Sequence, residues 1–419
     1  MMRKSLLTVC RGHSLSNADK LLTNCAMVRS CSGLAGIVAV LTLSLAIPAQ
    51  SQTNAQTLEK KIIEYGWDVP TPDYVRAHIR EMEQKPFDGI IFRLQGGSNV
   101  FEPTPWDEAK FAADVDNLAN TQWEKFTDNF ATMLAASNQD WFDDNHWTAI
   151  EHNTAIIAKA AKTARCVGIC FDPEPYGVNP WTYAEAAHKD SKTFAEYEAQ
   201  ARKRGAQFIK AVERELPNPK ILTFFQLSLF GDLCKSMKPE DRATALASNG
   251  YGLLPAFLEG MLDGAGPGVV IIDGNENAYY YSDARAYFDV YHLMTQRALH
   301  MIDPALWPRY RAQVQAGQAL YIDQYYGLRT MRVLGNYMTP AEQSKWFEHN
   351  VYWALYSTDR YVWCYSERMN WWTNTTVPEG AENAIRSARA KIANAEPLGF
   401  DLRPIAEAAA KRERGETGP

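Results

Sequence analysis

Two carboxylates stand close together in the stretch CVGICFDPEPYG, which covers residues 166–177. Asp172 and Glu174 are two residues apart, so their side chains point to the same face of an extended segment. Two carboxylates held so near each other do not both ionise freely, and the pKa of one of them rises. A carboxylic acid that keeps its proton near neutral pH can act as a general acid. Asp172 and Glu174 are therefore candidate catalytic residues.

Further acids end or follow other apolar runs and could supply a partner for this pair. Asp273 ends the run GVVIID, and Glu276 comes three residues later. Either of these two could act as a nucleophile or as a base for water. Other residues at the ends of apolar runs are candidates for substrate binding, with Asp323 and Glu367 also in reserve as acids: Trp67, Asp68, Arg93, Gln226, Asp323, Tyr325, Glu367, Trp371 and Trp372.

The same positions lack the residues that several other chemistries require. None of the seven His residues after residue 51 ends an apolar run, as the ligands of an amidohydrolase-type metal site would. Lys125 and Lys220 fall at the starts of such runs, which is the wrong end for a Schiff base. The turns YYGLR and RMNWW do not have the glycine-rich pattern of a phosphate site. No metal ion and no cofactor are predicted.

The elements that must position these residues alternate along the chain. From residue 60, eight strand-like blocks are separated mostly by helix-like blocks, which predicts parallel βαβ units. The strand blocks are rich in Val, Ile, Leu and Phe without strict alternation, as is typical of a sheet buried on both faces. A (β/α)8 TIM barrel is predicted over residues 52–398, followed by a frayed tail, 399–419. In such a barrel the carboxyl ends of the strands form the active site.

Carboxylates beside aromatic residues at strand ends are the combination that glycoside hydrolysis uses. FDPEP ends the fourth of the eight strand-like blocks, and acids follow the sixth (Asp273 and Glu276), the seventh (Asp323) and the eighth (Glu367). With this pattern the chain resembles the (β/α)8 glycoside hydrolases. The resemblance covers residues 60–395 at the level of architecture and names no particular family. The sequence departs from the large clan that has Asn-Glu at the end of the fourth strand, because Asp-Pro precedes Glu174. The resemblance implies Glu174 as the acid, tuned by Asp172, with Glu276 or Asp273 opposite.

The N-terminal region differs from the rest of the chain. Residues 1–30 carry five basic residues and one acid, and the uncharged run that follows is typical of a secretory signal. We expect a leader over residues 1–51, with export or a periplasmic location, and an uncleaved membrane anchor is the alternative. Without the leader, 38 Lys and Arg remain of 43, and 48 Asp and Glu of 49, a net charge of −10. This charge argues against nucleic acid or an anionic membrane as a partner after cleavage.

Three functions are compatible with these observations. The first is an exported glycoside hydrolase acting on a carbohydrate substrate. The second is a carbohydrate-binding barrel without catalytic activity, and the third is an isomerase or lyase that uses a divalent metal with its carboxylates. The fold alone does not choose between them, because this barrel hosts many chemistries.

Overall fold

The computed structural model describes residues 59–235 and 238–416. The predicted leader, residues 1–51, lies outside the described residues. The structure is an α/β barrel, as predicted. In the part of the chain that is described, no helix has the length and apolar character needed to cross a bilayer.

Nine parallel strands form one sheet in the order β7-β6-β5-β4-β3-β2-β1-β9-β8. The strands are β1 (Lys61–Gly66), β2 (Gly89–Phe92), β3 (Phe130–Leu134), β4 (Gly168–Asp172), β5 (Lys220–Thr223), β6 (Val270–Asp273), β7 (Val314–Ala316), β8 (Gln318–Tyr321) and β9 (Tyr361–Ser366).

Nine strands appear instead of the eight predicted because one strand is interrupted at Gly317. β7 pairs with β6 and β8 pairs with β9, and only this glycine separates them along the chain. Its backbone nitrogen donates to the oxygen of Asp273 at 2.8 Å, so the contact with β6 continues through the interruption. A Cβ atom at this position would lie 2.8 Å from the Ile272 side chain, which leaves no room for a larger residue. The two edges of the sheet thus meet at Gly317, and the barrel is nearly closed.

Helices follow most of the strands and cover the outside of the barrel. They are α1 (Pro72–Met82), α2 (Ala112–Ala119), α3 (Asp144–Thr163), α4 (Phe194–Glu215), α5 (Pro239–Ala247), α6 (Leu254–Gly264), α7 (Ala284–Thr295), α8 (Trp307–Gln313), α9 (Ile322–Tyr325), α10 (Pro340–Ser357), α11 (Ala381–Ala393) and α12 (Arg403–Glu413). Short 3-10 turns include Leu227–Phe230, Glu276–Tyr280 and Leu334–Tyr337.

Local sequence signals explain where the helices begin. The side chain of Thr193 accepts from the backbone of Glu196, and Glu196 bonds back to Thr193, which forms a capping box at the start of α4. Thr339 and Glu342 form the same arrangement at α10, where Pro340 occupies the first helical position. Each such cap contributes about 1 kcal/mol to helix stability.

The alternation of side chains along each strand decides what faces the lumen. Phe171 of β4 points outward and packs against Phe208 of α4 and Phe257 of α6. Its neighbours Cys170 and Asp172 therefore point inward. Four cysteines, at 166, 170, 234 and 364, are buried free thiols.

Asp128 lies away from the predicted site, and the C-terminal tail differs from the sequence-based expectation. Asp128 precedes β3, at the opposite end of the barrel from the predicted site, and its carboxylate contacts Arg360 and the Tyr361 hydroxyl. The tail predicted to be frayed contains α12, where Arg412 pairs with Glu342 at 2.8 Å. Ala409 of this helix is buried, so the helix packs against the rest of the fold.

Candidate active site

The floor of the site is a layer of aromatic rings at the carboxyl ends of the strands. Phe224, which follows β5, stacks on Trp363 of β9 with the ring centroids 4.2 Å apart. The ring of Tyr65 in β1 lies 4.8 Å from that of Phe224, and Tyr365 lies 5.8 Å from Tyr65. Because β5 is not adjacent to β1 or β9 in the sheet, these rings meet across the lumen. They form an apolar floor with hydroxyl groups at its edge.

Asp172 ends β4 and is fully buried beside this floor. It accepts hydrogen bonds from the backbone nitrogen of Glu174 at 2.9 Å and from the hydroxyl of Tyr176 at 2.7 Å. Burial and the charge of Glu174 raise the pKa of Asp172 to about 7, although both hydrogen bonds oppose this shift. Asp172 can therefore hold or release a proton near neutral pH.

Glu174 lies two residues further on and is only partly buried. Burial raises its pKa, a hydrogen bond with Tyr176 lowers it, and the charge of Glu367 raises it again. The charge of Glu174 in turn raises the pKa values of both Asp172 and Glu276. A negative charge on Glu174 therefore favours the protonated forms of both neighbours.

Glu276 reaches the same place from β6, at the start of the turn Glu276–Tyr280. Its backbone nitrogen donates to the oxygen of Phe224 at 3.0 Å. Asn275, just before it, has the left-handed conformation, with φ 45° and ψ 64°, that Asn tolerates better than most residues. The side-chain nitrogen of Asn275 donates to the Gln318 side chain at 2.8 Å. These contacts fix the direction in which the chain leaves β6.

The electrostatic environment of Glu276 joins it to the predicted pair. Burial, followed by the charges of Glu174 and Asp172, raises the pKa of Glu276 to about 8. At neutral pH most of this carboxyl group therefore keeps its proton, and the negative charge of Glu174 favours that state. The structure thus brings together three of the four predicted catalytic residues, from β4 and β6.

Asp273, the fourth, serves a different purpose. It is fully buried, and its carboxylate accepts from the backbone nitrogens of Gln226 at 3.0 Å and Ser228 at 2.7 Å. The Ser228 hydroxyl also donates to it at 2.5 Å. Since both carboxylate oxygens are occupied, Asp273 ties the loop after β5 to the end of β6.

Two other predicted residues hold loops in the same way. Asp323 accepts from the backbone nitrogens of Glu367 at 2.9 Å and Arg368 at 2.8 Å, and so positions the chain after β9. Asp68 accepts from the backbone nitrogen of Trp371 at 2.8 Å. Both are positioning residues, since their oxygens are bound to the backbone of the loops that carry the site.

The predicted aromatic residues divide between the surface and the core. Trp67 is 67% exposed, and the guanidinium of Arg368 lies 5.8 Å from its ring. Trp371 and Trp372 are buried, with both rings against Phe87. Tyr325 is buried against Trp346 and Phe347. Of these four, only Trp67 presents a ring that a ligand could contact.

Arg93 and Gln226 complete the set of predicted residues. Arg93 is exposed after β2, and its charge acts on the Tyr65 hydroxyl together with those of Asp172 and Glu174. Gln226 is fully buried after β5, and neither polar atom of its side chain has a hydrogen-bond partner in the described part of the chain.

Several tyrosines of the site were missed by the sequence analysis. The hydroxyl of Tyr251 interacts electrostatically with Glu174, Glu276 and Asp172. Tyr279 stacks on Tyr365 with the centroids 5.5 Å apart and the rings nearly parallel. The run of three tyrosines, 279–281, begins three residues after Glu276. Its proximity to an acid was the available signal.

Across residues 59–235 and 238–416, no three His, Cys, Asp or Glu side chains are grouped so that they could hold a metal ion. Neither models of protein families nor curated proteins give a match to this chain. The assignment of a function therefore depends on the geometry of the site.

Proposed function

We propose that this protein is a glycoside hydrolase. The observation that carries the proposal is the convergence of Glu174, just after the end of β4, and Glu276, after β6, in one electrostatic group, in which burial and the charge of Glu174 raise the pKa of Glu276 to about 8. Cleavage of a glycosidic bond needs one carboxylic acid and one carboxylate that flank the bond. The aromatic floor and the exposed Trp67 offer rings on which a sugar can stack.

The raised pKa of Glu276 assigns the roles. Glu276 donates its proton to the glycosidic oxygen as that oxygen leaves the sugar. Glu174 acts on the anomeric carbon, either as the nucleophile or as the base that takes a proton from water. This reverses the roles that the resemblance implied, because the charge of Glu174 keeps the proton on Glu276. Asp172 and Tyr176 position Glu174 through the hydrogen bonds of the turn.

The test uses Glu174→Gln and Glu276→Gln on a panel of glycans and of 2,4-dinitrophenyl glycosides. General acid catalysis contributes about 100- to 10,000-fold, so we expect Glu276→Gln to lower kcat on glycans by that amount. Dinitrophenolate leaves without a proton, so the same variant should lose much less activity on the dinitrophenyl glycosides. Glu174→Gln should be inactive on both classes, because its carboxylate acts at the sugar itself.

The matched control is Glu379→Gln, an exposed glutamate outside this group. It should retain the activity of the unmodified protein on every substrate. Equal losses on both substrate classes for Glu276→Gln would contradict its role as the acid. Binding of glycans without any hydrolysis would favour a carbohydrate-binding barrel, and hydrolysis of no glycan and binding of none would refute the proposal.

A further inference from the structure

Arg329 lies in the loop that follows α9, on the side of the barrel where the strands end. Its guanidinium carbon is 5.3 Å from the ring centroid of Tyr321 and 5.8 Å from that of Tyr280. One guanidinium nitrogen donates to the side-chain oxygen of Gln324 at 3.2 Å. The group is half-buried and held in a defined orientation between two aromatic rings.

Arg329 and two carboxylates of the site act on the same tyrosine. The hydroxyl of Tyr280 interacts electrostatically with Arg329, with Glu276 and with Glu367. Arg329 thus lies beside Tyr280, at the end of the turn Glu276–Tyr280 that begins with the proposed acid. A ligand that extends from Glu276 along this turn would reach Arg329.

Arg329 forms no ion pair with any carboxylate of the described residues. Arg93 and Arg368, which also lie at this face, likewise form no ion pair within the described residues. Arginines of the outer helices do have such partners. Arg202 in α4 pairs with Asp263 at 2.6 Å, and Arg389 in α11 pairs with Asp88 at 2.6 Å. A guanidinium that is oriented by the protein, but has no anionic partner within it, is suited to an anion on a ligand.

We propose that the glycan bound at this site carries an anionic substituent, a carboxylate or a sulfate, that Arg329 binds. The inference rests on the proposed glycoside hydrolase function and specifies its substrate class. The planar fork of a guanidinium binds both kinds of oxyanion through two parallel hydrogen bonds. Arg93 and Arg368 add positive charge around the same opening.

The acids of the site do not prevent an anionic ligand from binding. Burial and mutual repulsion keep the pKa of Asp172 at about 7 and that of Glu276 at about 8, so much of their charge is absent near neutral pH. An anionic glycan then meets the charges of Glu174 and Glu367 and those of three arginines.

The experiment compares uronate oligosaccharides with their carboxyl-reduced counterparts, and sulfated oligosaccharides with their desulfated counterparts. The variants are Arg329→Gln, which removes the charge, and Arg329→Lys, which keeps it without the fork. Arg332→Gln, an exposed arginine of the same loop, is the matched control. For Arg329→Gln we expect kcat/KM on the acidic glycan to fall roughly 10- to 100-fold, with less than about threefold change on the neutral one. For Arg329→Lys, kcat/KM on the acidic glycan should lie between the values of the unmodified protein and of Arg329→Gln.

Which pair shows this difference identifies the anion as carboxylate or sulfate. Hydrolysis of neutral glycans alone, or an equal effect of Arg329→Gln on both members of each pair, would overturn this inference and leave the hydrolase proposal standing. Calorimetric titration of Glu174→Gln with the same glycans separates binding from catalysis. If no glycan is hydrolysed, tighter binding of the acidic member still supports the anion site, and equal or absent binding overturns it.

Discussion

The substitution Glu276→Gln should change how the stability of the protein depends on pH. Glutamine keeps the size and polarity of the side chain but cannot ionise. In the folded protein the pKa of Glu276 is raised from 4.5 to about 8. The folded state therefore binds this proton more tightly than the unfolded chain does. The resulting stabilisation is complete below pH 4.5 and is lost as the pH rises through about 8.

The size of the effect follows from the shift. Each pKa unit corresponds to about 1.4 kcal/mol, so an upward shift of this size amounts to roughly 5 kcal/mol when Glu276 is fully ionised. Partial exposure of the carboxyl group allows water to screen the charges, so we expect about 3–5 kcal/mol. The glutamine variant does not have this cost, because its side chain cannot ionise in the folded protein. It should be more stable than the unmodified protein at pH 9 by that amount, and similar to it at pH 5.

Urea unfolding at pH 5 and pH 9 measures this difference, and Glu379→Gln is the control for removal of an exposed carboxylate. The stability of the control should follow that of the unmodified protein at both pH values, because its carboxylate is exposed to water. A stability difference for Glu276→Gln that is the same at pH 5 and pH 9, within about 1 kcal/mol, would refute the reasoning. It would mean that Glu276 is not held protonated by burial and by Glu174.

Three further predictions concern residues that position the site. Tyr176→Phe removes the hydroxyl that donates to Asp172 at 2.7 Å, so a carboxyl NMR titration should show the pKa of Asp172 moving upward; no movement would contradict the hydrogen bond. Asp273→Ala leaves buried backbone nitrogens after β5 unpaired, and unfolding in urea should show a loss of about 3–5 kcal/mol; a loss below about 1 kcal/mol would show that this tie is dispensable. Asn275→Ala should melt at a lower temperature than Asn275→Gly by the equivalent of about 1 kcal/mol, because only glycine adopts φ 45° without strain; equal melting temperatures would contradict the strain.

Much of the barrel could be predicted from local patterns. Apolar blocks bounded by glycine and proline indicate the strands, and helix starts such as Thr71-Pro72 can be recognised from the amino-acid sequence. The interruption at Gly317 could not be predicted, because it depends on the side chain of Ile272 in the neighbouring strand. The helix α12 was missed for a similar reason, since its partner Glu342 is distant in sequence.

The amino-acid sequence by itself determined that Asp172 and Glu174 share one face at the end of a strand, because the period of a β-strand is a local property. It also placed Glu276 and Asp273 at the end of another strand. Only the tertiary structure decided which of these acids is available for chemistry. Asp273 satisfies backbone nitrogens of a loop that is distant in sequence, whereas Glu276 lies within the electrostatic influence of Glu174 and Asp172. Buried backbone donors and repelling charges belong to segments that are distant in sequence. Which acid binds a loop and which keeps a proton is therefore determined only when the chain is folded.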